Sequence, residues 1–513
     1  EAAATFVFAA GTRDGKPVVA KVRFAVTFTA PRVIEPSADG VYEPAAPEAA
    51  APKASPEAAP IEVTVLGQKT PPSAKTMSRA EVRQLPGAFG DPFRAIEVMP
   101  GVTPIVSGWP YFYVRGAPPG NVGYYLDGVR VPYLFHVAAG PSVIHPGLVD
   151  RVDLYSGGYP ARFGRFSGAV VAAETTPPIP EWHGEGTIRL VDLGALVEAP
   201  FDDYRGSALV AGRYSYTGAV ISLISPDIRL DYRDYQARVS YALTPRDRIT
   251  LFAFGSYDLL AQEKNGIETI LFGSEFYRAD LRYDVALEGG GTMRWATTLG
   301  YDQTRVADQR NAEDVLWGAR VELTHPIDET ATLRGGLDLL FDGYKADGAT
   351  YGDPEDPDVD AYNRLFPSRT DSAATAWADV VWRPDPRIEV TPGVRADLFH
   401  SGAASAVGVD PRLGVRAEVT PHVRLLHALG LAHQPPSFIV PIPGLAVANL
   451  EGGLQTSLQT SAGVEVDLPW KTTAAVTLFQ SLFMDMTDTA GVNPPGDDQN
   501  QTPRSLGVAR GLE

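Results

Sequence analysis

The sequence predicts a mainly β fold: a small α/β domain followed by a large antiparallel β-barrel that spans a membrane. Three observations predict it. From about residue 180 the chain alternates apolar and charged residues over runs near the ~9–11 positions of a spanning strand, longer than the ~5–6 of an ordinary one. The connections between those runs alternate between short turns and long polar segments. No apolar run approaches the ~18 residues of a spanning helix, so a membrane form must be a barrel, which satisfies its backbone between strands.

Bulk properties narrow the classes. The 513 residues suffice for two or more folded units. Fifty glycines and 44 prolines suit a chain of many turns. A net charge of −18 argues against a nucleic-acid partner, because phosphates demand a basic face. With no cysteine, neither a disulfide framework nor a thiolate metal site can form.

Residues 1–30 read as a strand pair. Thr5 to Phe8 alternates, Arg13-Asp14-Gly15-Lys16-Pro17 turns, and Val22 to Phe28 is β-branched and aromatic. Residues 31–60 are Ala, Pro and Glu with few large apolar side chains, an extended linker. Residues 61–178 have the texture of a compact domain. A strand opens it at Ile61 to Gly67. Ser78 to Gln84 suits one short helix, with Ser78 as N-cap and Glu81 three residues on. Gly and Pro then punctuate short apolar strands, among them Phe112 to Gly116, Gly123 to Gly128 and Val149 to Tyr155.

The barrel occupies residues 179–513. In Arg278 to Glu288, Ala279, Leu281, Tyr283, Val285 and Leu287 share one face, against Arg278, Asp280, Arg282 and Asp284. Val315 to His325 and Ile388 to Leu398 repeat the pattern, the latter with Glu389, Arg395 and Asp397 on its charged face. A lipid-facing Arg or Lys near the midplane costs roughly 2–4 kcal/mol, so the charged face is expected to meet water, inside a wide lumen or outside a soluble sandwich, and strand length and loop rhythm favour the lumen. Short turns are read at 244–247, 289–291, 325–330, 383–386, 420–422 and 468–471. Long polar loops are read near 215–231, 259–274, 303–314, 343–372, 400–411, 433–457 and 484–503. Keeping that two-sided rhythm requires residues 183–199 to split into two strands near Val191-Asp192, which makes roughly sixteen strands. A barrel that encloses a domain needs about 22, so roughly six more are expected beyond Glu513.

Motifs in residues 61–178 resemble, in order, the plug domain of TonB-dependent receptors. They are Leu85-Pro86-Gly87 through Val98-Met99-Pro100-Gly101-Val102, Val114-Arg115-Gly116, Tyr125-Leu126-Asp127-Gly128-Val129, and Val152 to Gly164 with Gly168. Gly157-Gly158 departs from the Gly-Pro that many members carry. Downstream, Asp410-Pro411-Arg412, His433-Gln434-Pro435-Pro436 and Arg504 to Gly507 resemble barrel elements of the same family. Phe6 to Phe28 resembles the end of a TonB C-terminal domain, with a plain β-rich extension as the alternative.

The resemblance implies a receptor in the outer membrane of a Gram-negative cell, with its plug and N-terminal segment on the periplasmic side. Its partners would be outer-membrane lipid, TonB or a TonB-like transducer, and an extracellular small-molecule or oligomeric substrate. Energised uptake of an iron–siderophore, cobalamin, glycan or peptide is the implied activity. A surface receptor that signals or docks without transporting is the alternative. TonB would grip Glu62, Val63, Thr64 and Val65 by β-augmentation, unless that segment is simply the first plug strand. Arg115, Asp127 and Arg151 are read as ion-pair partners, structural or functional. Gly116, Gly128, Gly164 and Gly168 are read as permitting tight turns and close packing. Trp109, Tyr111, Phe112, Tyr133, Phe135 and His136 form either a substrate face or plug core. Asp353, Asp356, Asp358 and Asp360 fail the calcium-loop pattern, with Ala361 and Pro367 where Gly and Glu are needed. No catalytic constellation, metal site or cofactor is expected.

Overall fold

The computed structural model describes residues 12–13, 16–17 and 74–513, apart from 86, 89, 106–110, 137–139, 180, 191, 222, 265, 307–309, 348–366, 438–440, 445–449, 451, 471 and 488–503. The expected linker, the strand at Glu62 to Val65, Trp109 and the loop of Asp353 to Asp360 lie outside the described residues. Residues 1–67 are a unit by themselves. Of it, β1 (Thr12–Arg13) pairs antiparallel with β2 (Lys16–Pro17), at the turn read from the sequence.

The second unit begins with an α/β domain. β3 (Ala74–Ser78) leads into α1 (Arg79–Gln84). Ser78 and Glu81 form the expected capping box: the Glu81 carboxylate accepts from the Ser78 amide at 2.8 Å, and the Ser78 hydroxyl accepts from the Glu81 amide at 3.4 Å. The helix stops before Pro86, which disfavours helical backbone in the residue ahead of it. β4 (Val102–Pro104) pairs with β5 (Phe112–Val114). β6 (Val122–Leu126), β7 (Val129–Arg130), β8 (Val149–Tyr155) and β9 (Ala169–Thr175) join β3 in a five-stranded sheet of order β3-β8-β9-β6-β7, in which β6 and β9 run parallel. β9 opens as an unbroken buried apolar run, Ala169 to Ala173, as in a strand covered on both faces. The sequence did not reveal β3: Ala74-Lys75-Thr76-Met77-Ser78 lacks a strand pattern and is extended because it lines the edge of β8.

The rest of the chain is one antiparallel sheet of 16 strands in sequence order. They are β10 (His183–Ile188), β11 (Asp192–Phe201), β12 (Gly206–Ser215), β13 (Ile228–Ala242), β14 (Asp247–Lys264), β15 (Ile267–Ala286), β16 (Thr292–Val306) and β17 (Arg310–Pro326). Then follow β18 (Ala331–Asp347), β19 (Arg369–Asp385), β20 (Ile388–Ser401), β21 (Ala404–Thr420), β22 (Val423–Gln434), β23 (Gln455–Leu468), β24 (Thr472–Thr487) and β25 (Arg504–Leu512). The split of residues 183–199 near Val191 appears as β10 and β11. No described helix is long and apolar enough to cross a membrane.

Face assignment follows the alternation. Val315, Leu299, Leu398 and Val407 are exposed on the outer face, while Arg278, Asp280, Arg395 and Asp397 are buried on the inner one. Tyr235, Tyr277 and Tyr301 form a stacked outer row. It crosses Gly255, whose missing side chain leaves room for two of the rings. The inner face departs from expectation in one respect. It meets the α/β domain instead of bulk water, so most of its charges are satisfied by one another and by groups of that domain.

Three expected loops are strand. Residues 259–274, 303–314 and 400–411 lie largely in hairpins that turn between Lys264 and Ile267, Val306 and Arg310, and Ser401 and Ala404. Polar residues on both faces look like loop in one dimension, but a strand that runs past the lipid has water on both sides. The six short turns fall where read, and long connections remain at β12–β13, β18–β19, β22–β23 and β24–β25.

A charge on the lipid face provides a direct test. Leu339 lies on the outer face of β18, between Ala319 and Ala374 of its neighbours. Leu339→Arg is expected to cost roughly 2–4 kcal/mol and to lower the yield of folded protein in lipid vesicles. The check is the fraction migrating as folded barrel on unheated gels, with wild-type yield as the outcome that rejects the assignment.

Candidate functional site

The site is the surface between the α/β domain and the barrel wall, which the domain touches from β10 to β25. Two tight turns present its motifs. Arg115 and Gly116 have φ of 46° and 84°, and Asp127 and Gly128 have 51° and 81°. Two successive positive φ values mark a two-residue hairpin turn that favours Gly second. Asp127 accepts from the Thr175 amide (2.8 Å), the Thr175 hydroxyl (2.7 Å) and Arg282 of β15 (3.0 Å). Burial opposes its charge, but Arg282 and Thr175 hold its pKa below the ordinary carboxylate value. Arg320 of β17 donates to the Gly128 carbonyl. Arg115 forks onto Glu513 at 2.7 and 2.8 Å, and a Cβ on Gly116 would lie 2.6 Å from that of Ala509 in β25.

On one side the seat is apolar. Phe112, Tyr133, Leu134 and Phe135 join Leu196, Leu209, Phe252, Phe254 and Phe276 of the wall in one buried cluster. His136 is set into its edge. Its Nδ1 lies 3.0 Å from Asp258 and its Nε2 3.1 Å from Asp234, and its ring stacks on Tyr232 at 4.4 Å. Arg213 donates to Asp234 at 2.8 Å, and the Tyr133 hydroxyl to Asp258 at 3.1 Å. Burial alone would push the imidazole pKa down, but the two carboxylates hold it up at about 8. His145 shows the opposite balance: burial and the nearby Arg213 push it down to about 4.

On the other side the seat is polar. Arg412 of β21 donates to the carbonyls of Tyr159 (3.1 Å), Pro160 (2.8 Å) and Phe163 (2.6 Å), with its guanidinium 4.2 Å from the Tyr159 ring centre. Arg395 of β20 donates to Arg162 O at 3.2 Å, and a Cβ on Gly164 would run into its guanidinium. Gln434, Gln455 and Gln459 take up Asn121, Ser167 and Gly168. A Cβ on Gly168 would lie 2.5 Å from that of Ala117 and 2.6 Å from Asn121 O. Along β15 to β20 the contact opens into a cavity of about 590 Å³. It extends from Arg294 and Glu322 near the short-turn end to His400 and Ser401 near the long-connection end.

Of the residues picked from the sequence, Arg115 and Asp127 pair across to the wall. Arg151 stays within the domain, on Glu174 at 2.8 Å. Phe112, Tyr133, Phe135 and His136 are buried, and Tyr111 is partly covered. None of these five lines the cavity. Sequence reasoning missed Asn121, Gln455 and Gln459. A signal existed for the last two: Gln455, Ser457 and Gln459 recur every second residue on the inner face of β23. Among the described residues no group of three or more His, Asp or Glu is placed to hold a metal ion.

A barrel whose lumen is filled by its own N-terminal domain defines the class of plugged outer-membrane proteins. Residues 186–513 match the family described as "TonB dependent receptor-like, beta-barrel", and residues 67–171 match the "TonB-dependent Receptor Plug Domain". The chain belongs to the TonB-dependent receptor family, whose members reside in the outer membrane of Gram-negative bacteria. Its fold is similar to that of the siderophore receptor PirA from Pseudomonas aeruginosa (TM-score 0.62, 16% identity, 86% of this chain and 81% of that one). PirA from Acinetobacter baumannii is similar at TM-score 0.62 and 14% identity, over 85% of this chain and 74% of that one. The alcaligin receptor FauA from Bordetella pertussis is similar at TM-score 0.59 and 14% identity, over 87% and 77%. At these identities the likeness concerns the fold alone. No curated protein sequence matches the chain.

Proposed function

We propose that the chain imports a scarce extracellular substrate across the outer membrane, driven by TonB pulling on Glu62 to Val65. The observation that supports this reading is the two-sided seating of the plug. Its contact with β20 to β23 is made mainly of hydrogen bonds to backbone carbonyls and amides. Water can replace such bonds one for one, so separation there costs less than their gross strength. Its contact with β11 to β15 centres on a large buried apolar cluster, and baring that costs about 25 cal/mol per Å². A pull would therefore free the polar side first and widen the cavity between β15 and β20, while the apolar side holds the plug in the barrel. The short-turn end would face the periplasm and the long connections the outside. An iron chelate is one candidate substrate, a reading supported by the siderophore receptors among the solved structures of similar fold.

Val63→Pro tests the handle. Proline lacks the amide that an added strand would grip. Uptake or substrate-dependent growth is expected to fall at least about tenfold, to the level of cells without TonB, with unchanged receptor in the membrane and unchanged substrate binding. Full uptake by that variant, or by TonB-deficient cells, would falsify the proposal, and substrate binding with no receptor-dependent uptake in the wild type would favour a docking or signalling receptor.

A further inference from the structure

The plug–wall cavity carries a charge arrangement that the seating of the plug does not use. Asp302, Asp314 and Asp342 stand on adjacent strands β16, β17 and β18. Asp302 and Asp314 are direct cross-strand partners, and Asp342 is across from Leu316, two residues on. All three line the cavity, and they are 6%, 4% and 6% exposed. Asp302 is occupied: Arg278 forks onto it at 2.7 and 2.9 Å. Asp314 and Asp342 differ. Each has a fully buried Oδ1 with no hydrogen-bond partner.

The surrounding cations are committed elsewhere or stand off. Arg165 pairs with Asp338 and, at 3.5 Å, with Asp397. Arg369 pairs with Asp371 at 3.0 Å and covers the Tyr344 ring. Arg130 of the plug is within Coulombic range of Asp342 and Asp302, yet its guanidinium packs over Phe166 and leaves both orphan oxygens unbonded. Arg165 is also within Coulombic range of Asp342 but is shared with Asp338 and Asp397, so three carboxylates are left with Arg278, Arg130 and that share of Arg165. An unpaired buried carboxylate oxygen is costly, and nearly all such atoms in folded proteins have partners.

We infer that Asp314 and Asp342 form a subsite for an organic ammonium group in the cavity between plug and wall. An ammonium donates three hydrogen bonds from one compact charge, which suits two orphan oxygens on neighbouring strands. A hard metal ion needs six or more converging oxygens, which the described residues do not supply. The subsite rests on the uptake reading, since it places an amine-bearing substrate on the route past the plug.

The test is equilibrium binding of spermidine, as a probe amine, to the purified full chain in detergent, measured by calorimetry with magnesium as a parallel titrant. Asp314→Asn and Asp342→Asn keep the shape and remove the charge, and gel mobility before heating confirms that each variant is folded. Saturable spermidine binding that weakens about tenfold or more in either variant supports the subsite. Wild type that binds spermidine no better than the double variant overturns it. So does magnesium binding lost in the same variants, which would make the site a metal site. A protonated-carboxyl infrared band that disappears in Asp314→Asn also overturns it, because a proton would then neutralise the pair. Binding requires no TonB, so failure here leaves the uptake reading standing. Full uptake in the Val63→Pro experiment would sink the uptake reading, while spermidine binding would still be decided by its own variants.

Discussion

Replacing Arg412 with alanine is expected to destabilise the seated plug by about 3–5 kcal/mol, the usual cost of removing one partner from a buried charged network. Three plug carbonyls lose their donor at once, and Asp410 loses its 3.2 Å partner while keeping His433 at 2.6 Å. The cation–π contact with Tyr159 goes too. The backbone ladder of the barrel is untouched, so the loss is expected chiefly in the plug. Hydrogen exchange should show it as faster exchange in residues 159–168, with β21 and β22 still protected. Lysine at 412 should recover only part of the loss, because a single ammonium cannot span three carbonyls as the planar fork does. Uniform loss of protection across the barrel would mean that Arg412 holds the wall and not the plug.

His136 should make plug seating depend on pH, in a direction fixed by its environment. In the unfolded chain a histidine titrates near 6.5; here, between Asp258 and Asp234, it is held up at about 8. A raised folded pKa means that the seated state binds the proton more tightly. The stabilisation is therefore fully present below about 6.5, declines as pH rises through about 8, and is gone above it. That shift corresponds to roughly 2 kcal/mol. The groups that face the ring are Asp258, Asp234, Tyr232, Tyr133 and Ser256, with Arg213 behind Asp234. His136→Gln keeps hydrogen bonding but cannot be charged. The wild type should exceed it in plug stability at pH 6, and the gap should close by pH 9. A constant gap would show that packing against Tyr232, not charge, is what His136 supplies.

Much of this architecture was legible locally. Alternation in Arg278 to Glu288 and Ile388 to Leu398 assigns lipid-facing and lumen-facing residues, because the strand period is two whatever the strand pairs with. Ser78 and Glu81 announce a helix start through contacts three residues apart. Asp127-Gly128 announces a turn, because φ is positive at both positions and Gly tolerates it at the second. Where two signals compete, the sequence misled: polar residues in 259–274 and 400–411 looked like loop, although they continue the ladder beyond the lipid.

The strand period, the turns and the faces are local properties, since each depends on neighbours a few positions away. Which charges are answered is a property of the folded molecule. Arg395 and Arg412 meet the 159–163 carbonyls across more than 200 residues, while Asp314 and Asp342 meet no donor. An inward-facing charge carries the same local pattern in either case. Its partner depends on which part of the plug comes to rest opposite that stretch of wall, and that is settled only when the sheet wraps round the domain.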